Sequence, residues 1–154
     1  MKTKINNIKE NLYNECQSFI DNRFETIQHM IKDIQESLTS ETKSSAGDKH
    51  ETGRAMLQLE REKAGQQLAE IQKVNQLLSK IDVSKSTKII GLGSIAYTTQ
   101  ANYFVAVSAG EFIVAHEKFY AISANTPIGR LLLGKTTGDK VQFRDQNFEI
   151  ITII

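Results

Sequence analysis

Apolar residues in the first half of the chain recur at alternating intervals of four and three. Ile20, Phe24, Ile27, Ile31, Ile34 and Leu38 form one such series, the a/d seam of a coiled coil, and predict a first helix running to about Leu38. A second seam passes through Leu57, Ala64, Leu68, Ile71, Val74, Leu78 and Ile81, spaced by three, four or seven, with Glu60, Lys63, Gln66 and Lys73 between them, and predicts a second helix from near Glu51. Each seam is one stripe wide, so neither helix can bury its apolar face alone. The polar stretch from Thr39 to His50 is short enough to fold them together, and an antiparallel hairpin is the economical arrangement. Arms of ~30 residues, at about 1.5 Å each, would span about 45 Å.

From Asp82 onward the grammar changes. Residues 1–81 contain 12 Lys+Arg, 12 Asp+Glu, no proline and three glycines, whereas the remainder holds six glycines and the single Pro127. Runs rich in Val, Ile, Phe, Tyr and Thr predict strands at Lys88–Ile90, Ser94–Thr98, Tyr103–Ser108, Glu111–His116, Lys118–Ile122, Val141–Phe143 and Phe148–Ile154. Within Asn125–Gly134, a polar cap, Pro127 at the first helical position and a closing glycine mark one short helix. The fold class is therefore α+β: an antiparallel coiled-coil hairpin over 1–81, with its tip near 44–54, and a small sheet domain with one helix over 82–154.

Composition narrows the function. With 19 Lys+Arg against 18 Asp+Glu, a net charge of +1 excludes a protein that holds nucleic acid by phosphate neutralisation alone. The longest mostly apolar stretches, Ile89–Tyr97 and Tyr103–Ala109, fall short of the ~20 residues a membrane helix needs. The basic start, Met1-Lys-Thr-Lys4, leads into no apolar signal segment, so a cytoplasmic, membrane-free protein is expected. The lone Cys16 has no cysteine or histidine company, which reads as a small buried hydrophobe in a reducing compartment.

Candidate chemistry concentrates between the arms. Asp48 and Glu51, three apart beside Gly47, have the spacing of a capping box, in which the Asp caps the helix and the Glu reaches back. The same pair could serve as a half-site for Mg²⁺, a cation often held by one or two carboxylates with water and phosphate oxygens completing the shell. His50 reads as a solvated loop residue, and His29 and His116 have no second ligand at metal spacing. Gly91-Leu-Gly-Ser94 lacks a third glycine and a following helix, so it predicts a turn and not a phosphate loop. No GxSxG, HExxH or Ser/His/Asp pattern is present; the chain is not expected to be an enzyme by itself.

Two stretches resemble the Gre family of bacterial transcript-cleavage factors. Ile122-Ser-Ala-Asn-Thr-Pro-Ile-Gly-Arg-Leu-Leu-Leu-Gly-Lys-Thr-Thr-Gly-Asp-Lys-Val141 is similar to the family signature, and Gly47-Asp48 with Glu51 matches its Gly-Asp-x-x-Glu tip. The resemblance implies a C-terminal domain of FKBP-like fold docked at the secondary channel of RNA polymerase through Ser123, Asn125, Pro127, Ile128, Arg130, Gly134 and Lys135. It further implies a monomeric accessory factor whose Asp48 and Glu51 share Mg²⁺ with the polymerase and stimulate its cleavage of backtracked nascent RNA, with DNA nearby in the complex. Beyond Glu51, Thr52-Gly-Arg-Ala55 replaces the family's Asn-Ala-Glu-Tyr, and Lys49 replaces an apolar residue. Added positive charge weakens a cation half-site, so a channel-binding regulator that does not cleave, DksA-like or Gre-homologous, is the runner-up. A plain coiled-coil interaction module and a prolyl isomerase or peptide binder are the readings from other classes.

Overall fold

The computed structural model describes the backbone of residues 2–43 and 47–154, with side chains for 7–40 and 51–154. It has an α+β fold, an N-terminal helical hairpin followed by a six-stranded mixed sheet carrying one short helix. Helix α1 spans Lys2–Lys43 and α2 spans Gly47–Ser79. Both exceed the seams that predict them: α1 passes Leu38, and α2 begins four residues before Glu51.

Burial follows the predicted seams. Ile20, Ile27 and Ile34 are buried with Phe24, Ile31 and Leu38 half-buried between them, and Ala64 and Ile71 are buried with Leu57, Leu68 and Val74 half-buried. The series on α1 begins earlier than the heptad pattern indicates, since Ile8, Leu12 and Cys16 are also buried. By its contacts the chain divides into two compact units, Ile20–Val74 and a second that joins Met1–Phe19 to Asn75–Ile154. The first is hairpin alone. The second combines the sheet with the opening turns of α1 and the last turn of α2.

Within that second unit, Lys9 is a buried charge whose Nζ donates to the carbonyl of Lys85 at 2.7 Å. Gln17 and Asn75 join the two helices by a side-chain hydrogen bond of 3.0 Å. Ile81 lies past the end of α2 and packs on Gly93, where its Cγ2 stands 2.9 Å from the place a Cβ would occupy. Gly93 has φ +89, and Ser94 N–H donates to Gly91 O at 3.0 Å. Gly91–Ser94 is thus the turn its composition predicts, with glycine where the backbone is left-handed.

The strands are β1 (Ile95–Thr98), β2 (Asn102–Ala106), β3 (Gly110–Val114), β4 (Glu117–Ser123), β5 (Lys140–Phe143) and β6 (Gln146–Ile153), in spatial order β3-β4-β2-β1-β6-β5. The chain leaves β2, crosses to the outer edge as β3, and returns as β4 between them, so β2 and β4 are parallel while the other pairs are antiparallel. Helix α3 (Pro127–Leu132) follows β4. One face of the sheet supplies Ala96, Val105, Val141, Phe148 and Ile150 to a core completed by Ile90 and Leu132. Phe104 and Phe119 are fully buried, each contributing on the order of 1.5–3 kcal/mol.

Two strand expectations are corrected. Lys88–Ile90 is not a strand; it makes a single bridge, Ile89 to Thr136, held by Ile90 N–H donating to Lys135 O and Ile90 O accepting from Gly134 N–H, because its partner is a loop in which Gly134 at φ +81 and the Thr136–Asp139 turn leave no extended run to pair with. Glu111–His116 ends at Val114, since Ala115 and His116 have φ of 53° and 66° and form the two-residue turn into β4. Neither residue advertises a left-handed turn as Asn-Gly would.

Candidate functional site

The signature stretch becomes strand end, capped helix and glycine turn. Ser123 closes β4, and its carbonyl accepts from Thr126 N–H at 3.1 Å and Thr126 Oγ1 at 2.7 Å. Thr126 is the N-cap: its Oγ1 accepts from Gly129 N–H at 3.1 Å, satisfying one of the free donors of the first turn. Pro127 occupies the first helical position, where its missing N–H costs nothing. The helix stops at Leu132, and Gly134, with φ +81, turns the chain so that its N–H reaches Ile90 O at 2.9 Å.

This segment holds all seven residues for which the sequence resemblance implies a docking role, and it gives them different situations. Ile128 packs against the core, and Ser123 and Lys135 are half-buried. Asn125, Pro127, Arg130 and Gly134 are exposed. Beside them, Leu131 and Leu133 are each 38% exposed, and Ile89 on the bridging segment is 54% exposed. Around the capped helix, then, the exposed side chains are both apolar and charged, Ile89, Leu131 and Leu133 with Arg130 and Lys88.

The next turn is fixed by Asp139. Its Oδ2 accepts from Thr136 N–H at 2.8 Å and Thr136 Oγ1 at 3.2 Å, and the first of these bonds is the leading cause that holds the carboxyl below its ordinary value. Gly138, at φ +92, completes the loop before β5. Sequence reading placed a polar cap before Pro127, which is Thr126, but missed Gly129 as a determinant of this segment. The available signal was Thr-Pro-x-Gly, a cap followed at its third helical position by the one residue without a Cβ.

The tip pair belongs to the other compact unit. Glu51 lies in the early part of α2 and is exposed. The side chain of Asp48 lies outside the described residues, as does that of His50. Because α2 begins at Gly47, Asp48 falls within the first helical turn and not ahead of it. Glu51 is followed by Gly53 and Arg54, both half-buried. Among the described residues no three His, Cys, Asp or Glu side chains are grouped to hold a metal ion.

The remaining candidates lie apart from both stretches. His29 is exposed and 3.8 Å from Glu25, one turn earlier on α1. His116 lies in the β3–β4 turn. Cys16 is fully buried, and burial pushes its thiol up to about 12. No helix among the described residues is long and apolar enough to cross a membrane.

No family model matches the chain, and no curated protein matches it. A solved structure described as "Structure of the transcription factor Gfh1" is 20% identical, with 85% of this chain and 92% of that chain covered, at a TM-score of 0.34. So loose a superposition leaves the functional reading to the residues themselves.

Proposed function

We propose that this protein is a transcription elongation factor of Gre-like type that binds RNA polymerase through the β4–α3 segment and carries Asp48 and Glu51 on its hairpin toward the polymerase active centre. The observation that carries the proposal is the Ile122–Val141 stretch. It resembles the Gre signature, and within it the side chains of Asn125, Arg130, Leu131 and Leu133 are left exposed. A helical hairpin joined to a small sheet domain is the arrangement such a factor requires.

The division of labour follows from the chemistry. The α3 segment binds the partner, and the exposed Glu51, with Asp48 three residues before it in the sequence, offers carboxylate oxygens. Mg²⁺ held between these oxygens and the polymerase would activate water for attack on the RNA phosphodiester. Two carboxylates supply only part of the shell that Mg²⁺ demands, which is why the chain would act as an accessory to the polymerase's own nuclease and not as an independent enzyme.

RNA cleavage in a stalled, backtracked elongation complex tests this, comparing wild type with Asp48→Ala/Glu51→Ala. Acceleration by wild type and its loss in the double variant, with binding retained, is the expected result. Absence of polymerase binding by the wild-type protein overturns the proposal. A second reading has its own support: Lys49 and Arg54 place two cations within three residues of Glu51, where they oppose a metal cation. Polymerase binding without accelerated cleavage would identify a channel-binding regulator that does not cleave.

A further inference from the structure

The sheet ends on two edges of different character. At one end β5 exposes Lys140 and Gln142, and Arg144 follows in the turn, stacked over Phe143 at 5.0 Å. Exposed cations on a short edge strand discourage further strand pairing. At the other end β3 exposes Ile113, which at 72% is the most exposed large apolar side chain among the described residues. Glu111 is the one charged side chain on β3, and its carboxylate is engaged by Lys118 of β4 at 3.2 Å.

Register decides which backbone groups face outward. Val114 pairs with Glu117 across the two-residue turn, and the pair that closes such a turn exchanges its hydrogen bonds. Phe112, opposite Phe119, therefore also directs its N–H and C=O toward β4, while Glu111 and Ile113 direct theirs away from the sheet.

We infer that the β3 edge is a homotypic pairing surface, on which a second copy of this chain adds its own β3 antiparallel across a two-fold axis. One register satisfies all the outward groups: Glu111 pairs with Ile113 of the second copy and Phe112 stands opposite Phe112 of the second copy. No like charges face each other in this register, and each Glu111 keeps Lys118 as its counter-ion. The exposed Ile113 is covered by the neighbouring strand, and the central aromatic pair lies on the sheet face of Phe119. A five-residue edge covers less than the ~800 Å² per partner of a standard interface, so the dimer is weak and forms with rising concentration.

Sedimentation velocity on the full chain from about 10 µM to about 1 mM, in the range where so small an interface associates, should show a rising weight-average sedimentation coefficient. Ile113→Glu, at an exposed position beside Lys118 of β4, sets a carboxylate opposite Glu111 of the second copy and should abolish the rise. The register is tested by mild oxidation at high concentration. Phe112→Cys should cross-link to itself, because a non-hydrogen-bonded antiparallel pair brings Cβ atoms to about 4.5–5.5 Å. Ile113→Cys should not, since it faces Glu111, and the buried Cys16 gives no background. If Phe112→Cys fails to fold, slowed exchange of the Glu111 and Ile113 amides in concentrated wild-type protein gives the same answer. A wild type that stays monomeric throughout, or a dimer that survives Ile113→Glu, overturns the inference. Protection of the edge only on adding a different protein would also overturn it, in favour of a foreign strand.

Discussion

The carbonyl oxygen of Ser123 stands 2.1 Å from the point where a Cβ on Gly129 would be, and Thr126 Oγ1 lies 2.9 Å from it. Helix α3 thus folds back onto the end of β4 at a distance that only glycine allows. Gly129→Ala should push the helix off its strand and cost about 3 kcal/mol, in the upper part of the range for overpacking. Urea unfolding of the two proteins measures it. A loss under 1 kcal/mol would mean that α3 is free to shift.

Lys9 makes stability depend on pH in the alkaline range. Burial lowers its pKa from the ordinary 10.5, and the charge of Asp82 only partly opposes this. Below both values the lysine is charged in the folded and unfolded chains alike, and the full cost of burying it is present. As pH rises toward 10.5 the folded state releases its proton first, the unfolded state binds more, and stability increases. Lys9→Met removes the buried charge, and the carbonyl of exposed Lys85 can turn to water. The variant should match or exceed wild type at pH 7, with its advantage shrinking toward pH 10.5. Thermal unfolding of both proteins across that range reads the effect.

Asp139 gives the opposite edge. Its pKa is lowered from 3.8, first by the Thr136 N–H bond, with the Thr136 hydroxyl and Lys135 adding to it. The stabilisation is present above 3.8 and is lost as pH falls through the lower folded value. Asp139→Asn should be less stable than wild type at neutral pH, and the gap should close under acid. A gap unchanged between pH 7 and pH 2 would show that the turn is held by shape and not by charge.

The long elements were legible because their cause is local periodicity. Intervals of four and three around Ile27 and Ile71 state which face is buried, and the helices bury it. Ile8, Leu12 and Cys16 continue at steps of four, off the heptad seam, since these turns of α1 belong to the compact unit of the sheet, and no local pattern announces a partner so far along the chain. The same blindness hid Lys9, which looks like any solvent-facing lysine until Lys85 closes over it. At the candidate site, Pro127 and Gly134 could be read as punctuation from their backbone chemistry alone. The demand for glycine at 129 could not, because it arises from the approach of Ser123 in three dimensions.

Cys16 should be silent to thiol reagents in the folded protein. It is fully buried, and with its thiol pushed up to about 12 almost no thiolate is present at neutral pH. Labelling with a chromogenic disulfide at pH 8 should proceed only as fast as the chain opens, and at once in urea. Rapid labelling of native protein would show that the opening turns of α1 detach readily from the sheet unit.

Arg130 separates docking from folding within one segment. It is exposed on α3, and its place in the last turn allows a favourable interaction with the helix dipole of only about 0.3–1 kcal/mol. Arg130→Ala should therefore leave the unfolding midpoint nearly unchanged. If α3 binds polymerase, the same variant should weaken that binding by about tenfold, the equivalent of one charge-assisted contact of ~1.4 kcal/mol. Gly134→Ala makes the contrast, since a side chain at φ +81 strains the turn and lowers stability and binding together. Fluorescence titration of polymerase with the three proteins, beside their unfolding curves, distinguishes the roles. Equal binding by wild type and Arg130→Ala would move the contact surface away from α3.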